Sequence, residues 1–222
     1  MTTPPEQDLA ALAGSTERLL RDLAGLDDAT ARADSLLPGW TVGHVLTHLA
    51  RNADGMRNLV TWAETGSPTS MYASREARQA DIEAGAGRPA AALVGDVAGS
   101  AERLAHALDR FHHFTDEQLG RLLQFGPPRP DEAPDLPAYT LPSARIRELE
   151  IHHVDLGLAS YTPLDWPDDF VERTLLQIHS THGPVDVVGH PAEVLAWRIG
   201  RGAGPSVRRR DGSEPGEPPA WM

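Results

Sequence analysis

The sequence contains no cysteine among its 222 residues. Disulfide bonds, thiolate metal ligands and a cysteine nucleophile are therefore all excluded. Any thiol chemistry has to use a thiol that comes from outside the chain. A metal site would have to be built from His, Asp and Glu, a donor set that suits zinc and other borderline or hard divalent ions.

Basic residues are scarce relative to acidic ones. The chain has 20 Lys and Arg against 32 Asp and Glu, a formal net charge of −12, which argues against binding to nucleic-acid phosphates or anionic lipids. Long apolar runs are absent, and residues 1–12 lack the basic and apolar regions of a signal peptide. We therefore expect a cytoplasmic protein without a nucleic-acid or membrane partner. Nothing in the sequence demands a dimer, so a monomer is expected.

Four stretches have apolar residues at the intervals of three and four that indicate amphipathic α-helices. They cover residues 8–24, 42–64, 90–111 and 144–158. A shorter helix is predicted over 76–83, and Thr41 is the expected N-cap of the second long helix. The proline-rich stretch 125–142 is interpreted as a surface connection. This inventory is typical of a helix bundle.

The type of predicted secondary structure changes after about residue 163, from helices alone to helices and strands. Residues 168–181 and 192–201 are predicted to be helical, whereas the β-branched run 185–188 and the stretch 206–210 are predicted strands. The sequence thus predicts a mainly α protein. A four-helix bundle is expected over residues 1–163, followed by a small α+β domain over 164–222.

The predicted helix over 144–158 carries Glu148, His152 and Asp155 on one stripe. A carboxylate and an imidazole four residues apart lie one turn apart on the same face, where both can bind one metal ion. The same spacing also occurs in simple hydrogen-bonded pairs. Asp155, a turn beyond His152, is expected to accept a hydrogen bond beside the metal or to cap the helix.

The predicted helix over 42–64 carries a second polar stripe, formed by His44, His48 and Asn52. His48 borders the apolar stripe, so it is either a hydrogen-bonded core histidine or a ligand that faces the bundle centre. His44 competes for this role, but its closeness to the helix start favours capping or a supporting hydrogen bond. Asn52 is likewise expected to support the ligands. Together the two helices could supply His48, Glu148 and His152 to one site with open positions, as a catalytic zinc requires.

Six stretches, distributed along most of the chain, resemble the sequence motifs of a known protein family. They are 37–53 (Leu-Pro-Gly-Trp-Thr-Val-Gly-His-Val-Leu-Thr-His-Leu-Ala-Arg-Asn-Ala), 62–66 (Trp-Ala-Glu-Thr-Gly), 71–78 (Met-Tyr-x-Ser-x-Glu-Ala-Arg), 147–157 (Arg-Glu-x-x-Ile-His-x-Val-Asp-Leu-Gly), 200–202 (Gly-Arg-Gly) and 216–221 (Gly-Glu-Pro-Pro-x-Trp). In this order they resemble the mycothiol-dependent maleylpyruvate isomerases. Trp-Thr-x-x-His alone marks only the wider DinB-like superfamily. The family pattern is not followed over residues 124–143, and the second domain is shorter over about 183–191.

The resemblance implies a DinB-like four-helix bundle that carries zinc or another divalent metal, followed by a small α+β domain. It implies that His48, Glu148 and His152 are the metal ligands and that Arg201, from the second domain, is needed for activity. The implied reaction is the cis–trans isomerisation of maleylpyruvate to fumarylpyruvate in gentisate-type aromatic degradation. Mycothiol is the implied thiol cofactor, and the implied substrate is a small dicarboxylate.

A mechanism follows as a hypothesis. A thiolate adds to the cis double bond by conjugate addition, the bond rotates, and elimination gives the trans product. The metal either activates the mycothiol sulfur or polarises the oxo-enol group of the substrate, and Arg201 orients a substrate carboxylate. Two other functions stay open, namely a mycothiol S-transferase that conjugates another electrophile and a non-catalytic module that binds a metal or ligand.

Overall fold

A computed structural model of the chain describes residues 6–129, 131–133 and 136–218. The chain forms two compact units, residues 1–157 and residues 158–222, whereas the sequence analysis placed the division after residue 163. Trp221, the end of the closing motif, lies outside the described residues. Among the described helices, none has the length and apolar character needed to cross a membrane.

The first unit is built from α-helices. They are α1 (Glu6–Asp22), α2 (Asp28–Arg32), α3 (Val42–Thr65), α4 (Arg75–Ala86), α5 (Ala90–Leu108), α6 (Asp116–Gly120) and α7 (Leu141–Asp155). The four long helices form the bundle: α3 packs against α5 and α7, and α1 packs against α7 and α5. This arrangement confirms the predicted helix bundle.

Short elements make up most of the differences from the sequence prediction. Strands β1 (Leu122–Leu123) and β2 (Leu136–Pro137) pair antiparallel, and a 3-10 helix at Ala138–Thr140 leads into α7. The stretch 125–142 therefore contains β2, this turn and the start of α7, and is not only a connection. Helices α2 and α6 were not predicted, because an element of five residues is too short to show a hydrophobic period.

A capping box fixes the start of α3. Thr41 is its N-cap residue, as predicted. The Thr41 hydroxyl accepts a hydrogen bond from the His44 backbone N–H, and Nδ1 of His44 accepts one from the Thr41 N–H at 3.1 Å. At the other end, Gly66 terminates α3 in the left-handed conformation with φ of 78°. The apolar stripe predicted for α3 is buried: Val45, Leu46, Leu49, Ala53, Met56 and Val60.

Helices α3 and α4 approach each other closely at two glycines. A Cβ atom on Gly43 would lie 2.1 Å from the carbonyl oxygen of Ala86, and one on Gly85 would lie 2.5 Å from Cγ2 of Thr47. Neither position accommodates a side chain without displacement of the backbone or of Thr47. This close approach brings α4, and with it Arg78, against the N-terminal third of α3.

The second unit has the predicted α+β composition. Helix α8 (Asp168–His182) is followed by β3 (Val187–Val188), α9 (Pro191–Arg198) and β4 (Arg208–Arg209). Val187 of β3 is opposite Arg209 of β4 in an antiparallel pair. The apolar residues enclosed by these elements are Val187, Val194, Trp197 and Val207. The observed architecture confirms a mainly α chain in which a helix bundle precedes a small α+β unit.

Candidate metal centre

Three side chains of α3 and α7 converge in the bundle. Nε2 of His48 lies 3.0 Å from Oε2 of Glu148 and 3.1 Å from Nε2 of His152. The third side of the triangle, from Nε2 of His152 to Oε2 of Glu148, is 3.9 Å. Two ligand atoms about 2.1 Å from one ion are about 3.0 Å apart in octahedral geometry and about 3.4 Å apart in tetrahedral geometry. The triangle therefore has the size of a three-ligand metal site.

The helical framework explains why these atoms meet. Glu148 and His152 are four residues apart on α7, so their side chains lie one above the other on one face. His48 comes from the N-terminal third of α3, which packs against α7. Bundle sites of this kind use side chains that project inward from facing helices.

Asp155 holds His152 in the tautomer that a metal requires. Oδ2 of Asp155 lies 2.8 Å from Nδ1 of His152, and a carboxylate can only accept a hydrogen bond. Nδ1 therefore carries the proton, and Nε2 presents its lone pair to the site. The Asp155 carboxylate is buried, and this pairing of carboxylate and imidazole is the usual support of metal-bound histidines.

Asn52 connects Glu148 to a buried arginine. Its Nδ2 donates a hydrogen bond to Oε2 of Glu148 at 3.1 Å, and its Oδ1 accepts one from Nη1 of Arg145 at 2.6 Å. The amide orientation is thereby fixed from both sides, since Arg145 can only donate. Asn52, from the polar stripe predicted on α3, therefore lies between Glu148 and Arg145.

His48 has the opposite hydrogen-bond pattern to His152. Nη2 of Arg78 lies 3.1 Å from Nδ1 of His48, and because a guanidinium only donates, this Nδ1 is the acceptor. The proton of neutral His48 is then on Nε2, where it can be shared with Glu148 and His152. Metal binding through Nε2 would move this proton to Nδ1, and Arg78 would have to turn away.

The electrostatics of the site leave His48 and Glu148 in the charge states that metal binding requires at neutral pH. Burial lowers the pKa of His48 to about 4, although the carboxylate of Glu148 opposes the shift. Burial raises the pKa of Glu148, but the hydrogen bond from His48 and the nearby imidazole and Arg145 charges outweigh it and lower the pKa to about 2. A neutral imidazole and an ionised carboxylate are the forms that bind a divalent cation.

The donor set and its exposure fit a catalytic rather than a closed metal site. Two imidazole nitrogens and one carboxylate oxygen suit zinc, and the chain has no cysteine that could add a thiolate to this donor set. The side chains of His48, His152 and Glu148 are 5%, 16% and 22% exposed. One side of the triangle therefore remains accessible to water or a substrate.

The other two site residues predicted from the sequence, His44 and Arg201, are not among the three converging side chains. His44 is engaged at the start of α3, with Nδ1 at Thr41 and Nε2 3.3 Å from Oε2 of Glu83. It therefore has the capping role that its position suggested. Arg201 belongs to the second unit, where its Nη1 donates to the carbonyl of Ile199 at 2.8 Å and its side chain lines a cavity of about 320 Å³.

Two arginines at the centre were not identified as site residues from the sequence. Arg145 lies one turn before Glu148 on α7, so its position on the ligand face is a signal that could have identified it. Arg78 is distant in sequence from both ligand helices, and only the close packing of α4 against α3 brings it to His48. No local pattern in the sequence gives that contact.

Comparison with known proteins is consistent with this geometry. Residues 12–157 match the family described as the mycothiol maleylpyruvate isomerase N-terminal domain. The fold is similar to the crystal structure of the mycothiol-dependent maleylpyruvate isomerase, with 29% sequence identity, a TM-score of 0.84 and all of both chains covered. A histidine-to-alanine mutant of that enzyme gives 28% identity, the same TM-score and the same coverage. No curated protein matches the chain. The likeness confirms the DinB-like fold expected from the resemblance.

Proposed function

The chain belongs to the mycothiol maleylpyruvate isomerase N-terminal domain family, and from this premise we propose that it is a mycothiol-dependent isomerase that converts maleylpyruvate to fumarylpyruvate. Membership of this family and the similarity to the isomerase structure over the full chain length support an enzymatic function. The single observation in the structure that carries the proposal is the triangle of His48, Glu148 and His152, which has the donors, size and accessibility of a catalytic metal site.

We propose that these three residues hold a divalent metal, with zinc the ion that best suits two imidazoles and one carboxylate. When bound, this ion would supply a Lewis acid that either favours the thiolate form of mycothiol or polarises the oxo-enol group of the substrate. Asp155 keeps Nε2 of His152 free of a proton, and Asn52 orients the carboxylate of Glu148.

The reaction itself is a reversible addition. The sulfur of mycothiol thiolate forms a bond to one alkene carbon, and the π electrons move into the conjugated oxo-enol group. The former double bond is then single and rotates, after which elimination restores the double bond in the trans arrangement and releases the thiolate. No atom is gained or lost, so the thiol is regenerated in each turnover.

Arg201 is proposed to orient the substrate through one of its carboxylates. A guanidinium pairs with a carboxylate through two parallel hydrogen bonds, and a chain with a net charge of −12 needs a local cation to attract a dianion. The second unit departs from the family pattern, so the role of Arg201 is tested separately from that of the metal ligands.

The proposal is tested by following the absorbance of maleylpyruvate and fumarylpyruvate with the full chain. We expect turnover that needs mycothiol, disappears after chelation and returns with zinc. His152→Ala should lose bound zinc and activity together, whereas His112→Ala, which changes an exposed histidine of the 3-10 turn at Asp109–His113, should keep both. Arg201→Ala should lose kcat/KM but keep zinc, with the exposed Arg210→Ala as its matched control.

Other outcomes assign other functions. If the zinc-loaded chain does not isomerise maleylpyruvate but forms mycothiol adducts with another electrophile, it is an S-transferase. If it binds zinc and shows neither activity, it is a binding module. If Arg201→Ala keeps full kcat/KM, the role proposed for Arg201 is wrong.

A further inference from the structure

Arg78 is a half-buried arginine at the metal centre, and none of the carboxylates in the described part of the chain forms an ion pair with it. Other arginines of the bundle are paired: Arg51 and Arg88 each lie 2.7 Å from Asp96. Arg78 instead donates to the neutral imidazole of His48. A guanidinium is a fork of several N–H donors, of which one imidazole nitrogen uses a single donor. Donor capacity therefore remains beside the metal ligands.

Tyr72 lies beside Arg78, in the segment between α3 and α4. Cζ of Arg78 is 5.6 Å from the centroid of the Tyr72 ring, and the phenol is half-buried. Burial raises the pKa of Tyr72, the charge of Arg78 opposes this shift, and the charge of Glu148 adds to it. The phenol therefore keeps its proton at neutral pH and can donate a hydrogen bond.

The charges at the centre favour an anion next to this pair. Glu148 is the only acidic residue among the three proposed ligands, and a divalent ion between them would add two positive charges close to Arg78. In a chain with a formal net charge of −12, such a local excess of positive charge attracts an anionic ligand.

Coordination of His48 through Nε2 would also release Arg78. With its proton on Nδ1, His48 can no longer accept the hydrogen bond from Nη2 of Arg78. A half-buried guanidinium that loses its acceptor costs free energy until another acceptor replaces it. A carboxylate is the acceptor that fits best, because it can pair with the guanidinium fork and also accept from the Tyr72 hydroxyl.

We propose that Arg78 and Tyr72 bind one carboxylate of a dicarboxylate substrate at the metal centre. This inference rests on the proposed function and deepens it, because it names residues that select a dicarboxylate over a monocarboxylate. The carboxylate bound here is the one that the role proposed for Arg201 leaves without a partner.

Binding of succinate tests the proposal without turnover. Succinate is a saturated dicarboxylate that cannot isomerise, and butyrate is its matched monocarboxylate. Isothermal titration calorimetry uses the zinc-loaded full chain without mycothiol. Hydrogen bonds between charged groups predict that succinate binds about tenfold more tightly than butyrate. Equal affinities, or no succinate binding at all, would overturn the proposal.

Two substitutions assign this preference to the pair. Tyr72→Phe removes only the hydroxyl and should weaken succinate binding about fivefold, whereas Arg78→Gln should weaken it at least about tenfold. Tyr139→Phe and Arg75→Gln make the same changes at exposed positions and should leave the affinity unchanged. Full succinate affinity in both Tyr72→Phe and Arg78→Gln would show that the pair is not the site.

Zinc affinity separates substrate binding from mere support of His48. Arg78→Gln should bind succinate more weakly while it binds zinc more tightly, because it removes the hydrogen bond to Nδ1 that opposes coordination. Arg78→Lys keeps the charge without the fork and should recover part of the succinate affinity. If Arg78→Gln loses zinc and succinate affinity together, Arg78 only supports His48 and the proposal is wrong.

Kinetics separate this proposal from the proposed function. If the original chain isomerises maleylpyruvate, Tyr72→Phe should raise KM about fivefold and change kcat less. Unchanged KM and succinate affinity in both variants would overturn the carboxylate site and leave the isomerase intact. If the original chain shows no turnover but prefers succinate, and the two variants lose this preference, the isomerase is wrong and the carboxylate site stands.

Discussion

Nη2 of Arg78 lies 3.1 Å from Nδ1 of His48, so α4 determines which nitrogen of this proposed metal ligand carries the proton. This contact favours the His48 tautomer that cannot coordinate through Nε2. The same guanidinium lies over the ring of Tyr72, 5.6 Å from its centroid, which gives it a second favourable position. A metal ion bound at Nε2 of His48 would therefore require the hydrogen bond from Arg78 to Nδ1 to break.

Arg78→Gln is expected to bind zinc about tenfold more tightly than the original chain, because a hydrogen bond that opposes the coordinating tautomer is removed. The glutamine oxygen can also accept a hydrogen bond from protonated Nδ1. Zinc affinity is measured by competition with a chromogenic chelator. Arg75→Gln removes the same charge from an exposed position of α4 and should leave the affinity unchanged. Weaker binding in Arg78→Gln would contradict the assignment of tautomers.

Asp155→Asn is expected to weaken zinc binding about 10- to 100-fold, the usual effect of removing a carboxylate behind a metal-bound histidine. The amide oxygen still accepts from Nδ1 of His152, but without the negative charge that raises the basicity of the ring. The same competition assay gives the affinity, and circular dichroism checks the fold. An unchanged affinity would show that Asp155 serves only the structure of the end of α7, where its carbonyl accepts from the Leu36 N–H.

The metal-free chain should lose stability as the pH falls from about 6.5 to about 4. His48 stays neutral in the folded state over this window because its pKa is lowered to about 4, whereas it is protonated in the unfolded chain. The unfolded state therefore binds more protons, and the free energy of unfolding decreases by up to about 3 kcal/mol.

This pH dependence is measured by urea unfolding of chelator-treated protein at several pH values. His48→Gln should have a visibly shallower dependence between pH 6.5 and 4. Some slope should remain, since burial also lowers the pKa of His153. Parallel curves for His48→Gln and the original chain would rule out His48 as the cause.

Gly43→Ala is expected to destabilise the protein by about 1–3 kcal/mol, the cost of forcing a methyl group into a filled space. The new Cβ would clash with the backbone oxygen of Ala86. Gly95→Ala on α5 is the matched control, because a Cβ there meets nothing within 4 Å and should stabilise the helix by up to about 1 kcal/mol. Thermal unfolding compares the two. Equal effects of the two substitutions would disprove the close crossing of α3 and α4.

The long helices could be predicted from the sequence because each carries a hydrophobic stripe over several turns. Thr41 could be predicted as an N-cap because this position favours a short hydroxyl side chain. Helices α2 and α6 and the pairing of β1 with β2 could not be predicted, because such short elements show no hydrophobic period. The contact between Asp155 and His152 could be predicted from the sequence, because both residues lie within one turn of the same helix.

The contacts of Arg78 and Arg145 could not be predicted from the sequence. Arg78 meets His48 only because two glycines let α4 lie against α3, and that contact depends on how two helices pack. Arg145 was one of several arginines until the structure showed that its buried guanidinium donates to Asn52, which in turn donates to Glu148. The spacing to Glu148 places Arg145 on the same face of α7, but neither spacing nor composition gives the contact with Asn52 or the contact of Arg78 with His48.

The amino-acid sequence by itself determined the donor types and their placement along single helices: no thiolate, a glutamate and a histidine one turn apart on α7, and a histidine on the inward stripe of α3. These are local consequences of the 3.6-residue period. Only the tertiary structure decided that the three donor atoms lie 3.0 to 3.9 Å apart and which protons they carry. Distances and tautomers depend on the packing of α3, α4 and α7, and that packing is a property of the whole bundle.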